Sequence, residues 1–352
     1  MNVFARKDEF SLLVIPKIAA TYIGTVVGAG FASGREIYQF FSIHQGGGWL
    51  GLIMAVMVLG YTGAKTFQIG AALQPSSYRD FFVYLLGKRL AAVADLILFV
   101  FLIILIGVMF AGCGAIFETM GLGYWTGIGL TGLGLIFILS GKLPGLIAVN
   151  LIVVPLMFIG SIGVALYTMS QGSVVHSPGV LNYNWFPAAW QFSAYNLILS
   201  LPVLLSLGKH YSQTRYLSLS GWMGSLILGL MAGLIHGAIL MHLPYLQNAP
   251  LPMAVLAKFA GGWVYWGYAL ILWGEMFTTL LANTFGVAER LVSLTGFPFQ
   301  VWVIVVVFVG ISFGQIGFVN LIGTFYPLFG YLCLGILSFI VFKSSPKRLT
   351  KQ

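Results

Sequence analysis

The chain has 352 residues, of which 59% are hydrophobic and only 7% charged, and its mean hydropathy is +0.97; soluble domains carry about 25% charged residues. This excludes a cytosolic enzyme core and predicts an all-α polytopic membrane protein, because the apolar runs are continuous rather than alternating as in an outer-membrane barrel. In such a chain the net charge of +9 does not point to nucleic acid. The partners it implies are the lipid bilayer and a small-molecule solute.

The first apolar stretch runs from Ser11 to Ile43. As one helix it would span about 50 Å, against a hydrocarbon core of roughly 30 Å. Gly24, Gly28, Gly30 and Gly34 mark where it would break, since glycine is the poorest helix former after proline. A break at membrane depth bares backbone groups that lipid cannot satisfy, so it is expected to line a buried, solvated site. At Gly28, Ala29 and Gly30, freed N–H groups at the start of a half-helix would attract an anion such as a carboxylate. The competing reading is that these glycines only allow close helix packing. Pro16 and Lys17 interrupt the run and it continues past a usual signal-peptide core, so no cleaved leader is expected.

The remaining spans are expected at 46–71, 91–118, 123–140, 143–170, 187–208, 216–242, 263–290, 299–315 and 317–342, which makes ten. Lys and Arg then fall almost wholly in the N-terminus, the even-numbered connections and the C-terminus, with Lys258 alone on the other side. That bias predicts a plasma-membrane (inner-membrane) protein with both termini cytoplasmic. Residues 10–170 and 187–342 form halves of nearly equal length. Each opens on an irregular helix, because Pro202 interrupts the sixth span. The 244–262 stretch is expected as an external loop.

The sixth span carries Ser193, Asn196 and Ser200 at helical spacing, with Tyr195 beside them. An amide inside a membrane needs partners, so Asn196 and its neighbours are candidate solute contacts. In the eighth span Glu275, Thr278, Thr279 and Asn283 share one face. A mid-membrane glutamate must be neutral, paired or facing water, and Glu275 could carry a proton. Lys17 and Asp95 are read as reaching the cytoplasmic interface, and His236 as satisfied packing. Cys113 and Cys333 lie in apolar runs and support neither a disulfide nor a metal site. No Walker loop, HExxH or nucleophile elbow is present, so neither catalysis nor a resident cofactor is expected.

GTVVGAGFASGREIYQFF at 24–41, the Tyr195–Asn196 pair and the paired threonines at 278–279 resemble the YkvI-like family of amino-acid permeases, in the amino acid–polyamine–organocation superfamily. The glycine-rich first helix also resembles that of LeuT-fold sodium symporters. The resemblance implies a 5+5 inverted repeat with helices one and six broken, and a solute held at the breaks. It implies alternating access by a secondary transporter of an amino acid or related carboxylate. It further implies a sodium ion between the carbonyls of Gly24 and Val27 and the hydroxyls of Thr278 and Thr279, with the 244–262 loop as external lid. Arg35 would be half of an outer gate, although helix ten holds no acid to pair with it. The alternative of another class is a receptor-like subunit, of the spore-germination type, that binds a solute without moving it.

Overall fold

A computed structural model describes residues 14–171, 183–211, 214–246, 249, 251–314 and 318–343, with Ala29, Thr214 and 318–328 described as backbone only. Outside them lie residues 10–13 of the expected first span, Arg6, Lys7, Lys347, Arg348 and Lys351, and residues 247, 248 and 250 of the expected lid.

The first span is broken where its glycines indicate. Helix α1 covers Val14–Val26, α2 covers Ala29–Ala32 and α3 covers Arg35–Phe40, followed by a 3-10 turn at Ser42–His44. Val27 and Gly28 are non-helical. Gly34 forms a second break at φ 77, a left-handed conformation that suits glycine. The chain continues through α4 (Gly46–Leu73), α5 (Tyr78–Thr119), α6 (Tyr124–Leu139), α7 (Lys142–Gln171), α8 (Trp185–Tyr211) and α9 (Thr214–Met241). Two short helices, α10 (Leu243–Leu246) and α11 (Pro252–Phe259), lead to α12 (Gly262–Thr295), α13 (Phe299–Phe313) and α14 (Phe318–Phe342). Among the described residues, six helices are long and apolar enough to cross a membrane: α4, α5, α7, α8, α9 and α12. The stretches Val14–Val26, Tyr124–Leu139, Phe299–Phe313 and Phe329–Phe342 are shorter apolar helices.

Two expectations are corrected. The third span begins at Tyr78 rather than 91, with a kink at Gly87 (φ 78, ψ 168) joining its two parts. Tyr78, Phe81, Phe82 and Leu85 recur at helical spacing and are buried, so the amphipathic signal was present. Arg79, Asp80, Lys88 and Arg89 hid it from a search for continuous apolarity. The second correction concerns α8, which is helical throughout, with Pro202 inside it. A proline removes a single N–H donor, and here its ring is packed in place. A Cβ on Gly286 of α12 would lie 2.7 Å from the Pro202 ring. Flanking Leu201, Val203 and Leu204 are buried.

Helix α4 lies against both α8 and α9, and α1 packs on the same two helices. Small residues allow this: a Cβ on Gly221 of α9 would come within 2.7 Å of the Ala64 backbone nitrogen in α4. Around them, α5 packs on α12, α6 and α13, while α7 packs on α1, α9 and α12. The contacts come in exchangeable pairs. The α1–α9 contact matches α4–α8, the α5–α6 contact matches α12–α13, and α1–α7 matches α8–α14. Exchanging α1, α5, α6 and α7 for α8, α12, α13 and α14, and α4 for α9, maps each of these contacts onto its match, as in a 5+5 repeat.

Candidate functional site

The break at Val27–Gly28 faces α12. Thr279 Oγ1 lies 3.1 Å from the Val27 carbonyl and 3.0 Å from the carbonyl of Glu275 one turn earlier. A hydroxyl has one hydrogen, so it donates to one of these oxygens at a time. A Cβ added at Gly28 would meet Thr279 Oγ1 at 3.4 Å, so the bared backbone lies directly against this threonine. The Gly28 carbonyl takes its bond from Ala32 N–H, at 3.1 Å. The N–H groups of Ala29, Gly30 and Phe31 therefore precede the first carbonyl bond of the short helix α2. With four residues, α2 is not the long half-helix expected, so the local N–H groups rather than a macrodipole are what this break offers an anion.

Tyr268 of α12 donates from its hydroxyl to the Ala32 carbonyl at 2.6 Å and lies 3.3 Å from Ser161 of α7. Ser33 Oγ donates to the Gly30 carbonyl at 3.1 Å. The Ser33 carbonyl in turn accepts from Met253 N–H of α11 at 2.8 Å. The broken segment is thus tied to α12 on one side and to the 244–262 stretch on the other.

The residues singled out from sequence divide into those that converge and those that do not. Gly28, Val27, Thr279 and Glu275 meet at the break. Glu275 is fully buried and neither carboxyl oxygen has a hydrogen-bond partner among the described residues. Thr278 Oγ1 bonds back to the Glu275 carbonyl at 3.0 Å. Ser193 likewise bonds back to Ala189 at 2.8 Å and Ser200 to Leu197 at 2.9 Å, a habit of hydroxyls in apolar helices. Gly24 packs on α7, where any Cβ would overlap the Asn150 side chain. Arg35 is half-buried and donates to the Ala249 carbonyl at 3.3 Å, with its guanidinium 5.6 Å from the Tyr38 ring.

Glu36 is a functional candidate that the 24–41 motif contains but does not single out. It is 3% exposed. The Tyr195 hydroxyl donates to its carboxyl, while Asn196 Nδ2 donates to the Phe192 carbonyl of its own helix at 3.0 Å. A Cβ on Gly30 would overlap that same carboxyl. Tyr195 therefore reaches the break through Glu36. The signal available was an acid two residues past Gly34, at membrane depth, where charge is costly.

Asp95 also departs from expectation. It does not reach the interface alone but is 8% exposed and bonded twice by Arg290, whose Nε lies 2.7 Å from Oδ1. Arg79 stands 3.9 Å away. This ion pair joins α5 to α12. His236 is packed with Nδ1 2.9 Å from Ser42 Oγ and its ring against Trp49, but its Nε2 is buried without a hydrogen-bond partner among the described residues, so the expected satisfaction is only partial.

No family model matches the chain. It is 30% identical over 341 residues to the uncharacterized membrane protein YkvI of Bacillus subtilis (strain 168), covering 94% of this chain and 96% of that protein. It is 25% identical over 320 residues to the uncharacterized protein YyaD of the same organism, covering 90% and 92%. Among solved structures it is similar to MhsT in complex with L-phenylalanine, with a TM-score of 0.63 at 14% identity over 93% of this chain and 88% of that one. It is also similar to Mhp1, a nucleobase-cation-symport-1 family transporter with bromovinylhydantoin bound, with a TM-score of 0.62 at 15% identity, covering 91% and 76%. A manganese transporter of Eremococcus coleocola aligns with a TM-score of 0.57 at 12% identity, covering 93% and 75%. At such identities the likeness is one of fold, and the fold is that of LeuT-like transporters. The near-complete match to YkvI settles the membership: this chain belongs to the YkvI family of membrane proteins.

Proposed function

We propose that the chain is a secondary active transporter of a small solute, an amino acid or related carboxylate, working by alternating access. The observation that carries this reading is the Val27–Gly28 break, buried in the bundle and held against Thr279. The N–H groups of Gly28, Ala29 and Gly30 would receive the solute's carboxylate, while Tyr195 shapes the opposite wall through Glu36. Backbone groups of this kind are tolerated at membrane depth only where they are buried in protein or line a water-filled cavity. The fold supports the same reading, since its solved neighbours are transporters.

Sodium is the coupling ion we propose. The Val27 carbonyl and Thr279 hydroxyl bring two hard oxygens together at 3.1 Å, which is the donor chemistry that such a cation takes. The Gly24 carbonyl and Thr278 would complete the shell once Thr278 turns from its own helix. The competing ion is a proton carried by Glu275. The 244–262 stretch would act as an external lid through the Met253–Ser33 bond and the Arg35–Ala249 bond. Both termini would lie in the cytoplasm of a plasma-membrane protein.

Proteoliposome uptake against a panel of L-amino acids, amines and carboxylates tests this, with sodium and proton gradients imposed separately. Accumulation of an amino acid driven by sodium is expected. Binding without accumulation of any solute would replace the transporter by the receptor-like alternative.

A further inference from the structure

We infer that Glu36 and Glu275 together form a seat for a protonated amine, so that the solute must carry an ammonium group. This rests on the reading of the break as a solute site and narrows it, because simple carboxylates would then not be substrates.

The two acids flank the break from opposite helices. Glu36 lies against Gly30, and Glu275 sits one turn from Thr279, which touches Val27. Both acids are buried, and α12 packs on the short helix α2 that Glu36 touches at Gly30. Glu36 has Tyr195 as a partner, whereas both oxygens of Glu275 are buried and have no hydrogen-bond partner among the described residues. Ionised in a water-poor interior, two like charges repel each other and forfeit hydration, so each carboxyl is either protonated or met by a cation.

The described protein does not supply that cation. Its ion pairs, among the described residues, both involve Asp95. Buried Lys65 bonds the Val341 carbonyl at 2.9 Å and Tyr61 at 3.1 Å. Arg35 bonds the Ala249 carbonyl. A divalent metal fits less well, because no group of three or more His, Cys, Asp or Glu converges among the described residues. An ammonium needs only acceptors for three N–H donors, and its bonds to carboxylates are charge-assisted. An amine held there leaves a carboxylate on the same solute within reach of the amides at the break. A solute with a carboxylate alone would instead bring a third negative charge beside Glu36.

The test uses full-length protein in detergent and matched probe triads, each an L-amino acid with its decarboxylated amine and its deaminated acid. One triad is L-leucine, 3-methylbutan-1-amine and 4-methylpentanoate; others take alanine and phenylalanine. Ligand-induced rise of the thermal midpoint reads binding. In at least one triad the two ammonium-bearing probes should stabilise the protein and the acid should not. Glu275→Gln and Glu36→Gln should each weaken that binding by about ten- to a hundredfold, the loss expected for a charged hydrogen bond. Gel filtration and a cooperative thermal transition without ligand guard against a Gln variant that fails to fold.

The inference is overturned if the acid binds as well as its amino acid, or if both Gln variants bind amines like the parent. Silence of every probe, or stabilisation by manganese alone, also overturns it. Transport of a simple carboxylate would sink this inference and leave the transporter reading standing. Amine binding without any uptake would do the reverse.

Discussion

Asp95 and Glu275 are both acids buried in the membrane part of the fold, and they are handled in opposite ways. Asp95 is met by Arg290, which bonds both of its oxygens from the neighbouring helix α12. Glu275, on that same α12, has neither oxygen bonded among the described residues. The first arrangement is complete within the chain and serves structure, tying α5 to α12. The second is incomplete, and it lies where α1 comes apart. A buried acid with its own arginine is compensated within the fold, whereas Glu275 is left without a partner at the proposed solute seat.

The comparison is broken most severely at its structural half. Arg290→Ala would strand Asp95 as an unpaired buried charge, and loss of one partner of such a pair costs about 3–5 kcal/mol. Thermal unfolding in detergent should show the midpoint fall, with much of it restored by adding Asp95→Asn; an unchanged midpoint would mean that the pair carries no structural load. Glu275→Gln should behave oppositely, leaving stability within about 1 kcal/mol while impairing solute binding, as the same unfolding assay would show.

Gly30→Val tests the break itself. Its side chain would enter the space of the Glu36 carboxyl, so uptake should be abolished while gel filtration still shows a folded protein; normal uptake would reject this site. Thr278→Ala combined with Thr279→Ala should remove sodium dependence, read from uptake with and without a sodium gradient. Ser193→Ala should have the smallest effect. Its hydroxyl is committed to Ala189, so solute affinity should stay unchanged in a binding titration.

The helices were legible because apolarity and length are nearly sufficient to place a membrane span, and the glycines located the break in α1. The same logic misjudged α8. A sequence shows that Pro202 lacks an N–H, but the packing of its ring on Gly286 is a tertiary fact. The site was half legible. Thr279, Glu275, Tyr195 and Asn196 were visible as polar residues on apolar helices. Glu36 directly follows Arg35, a spacing at which helical side chains do not face each other, and nothing in the sequence shows that the second break at Gly34 turns α3 so that its acid faces Gly30. The Asp95–Arg290 pair joins residues 195 apart in sequence, and one sequence alone carries no sign of it.

The central claim is that the α1–α2 break seats the solute, and chemical protection at Gly28 tests it most directly. In a chain with Cys113 and Cys333 replaced by Ala, Gly28→Cys would be modified by a small thiol reagent in proteoliposomes. The account predicts that the amino acid giving the largest thermal shift, with sodium present, slows this modification by about tenfold or more, as near-saturating occupancy requires. A modification rate unchanged by every amino acid, with or without sodium, would contradict it.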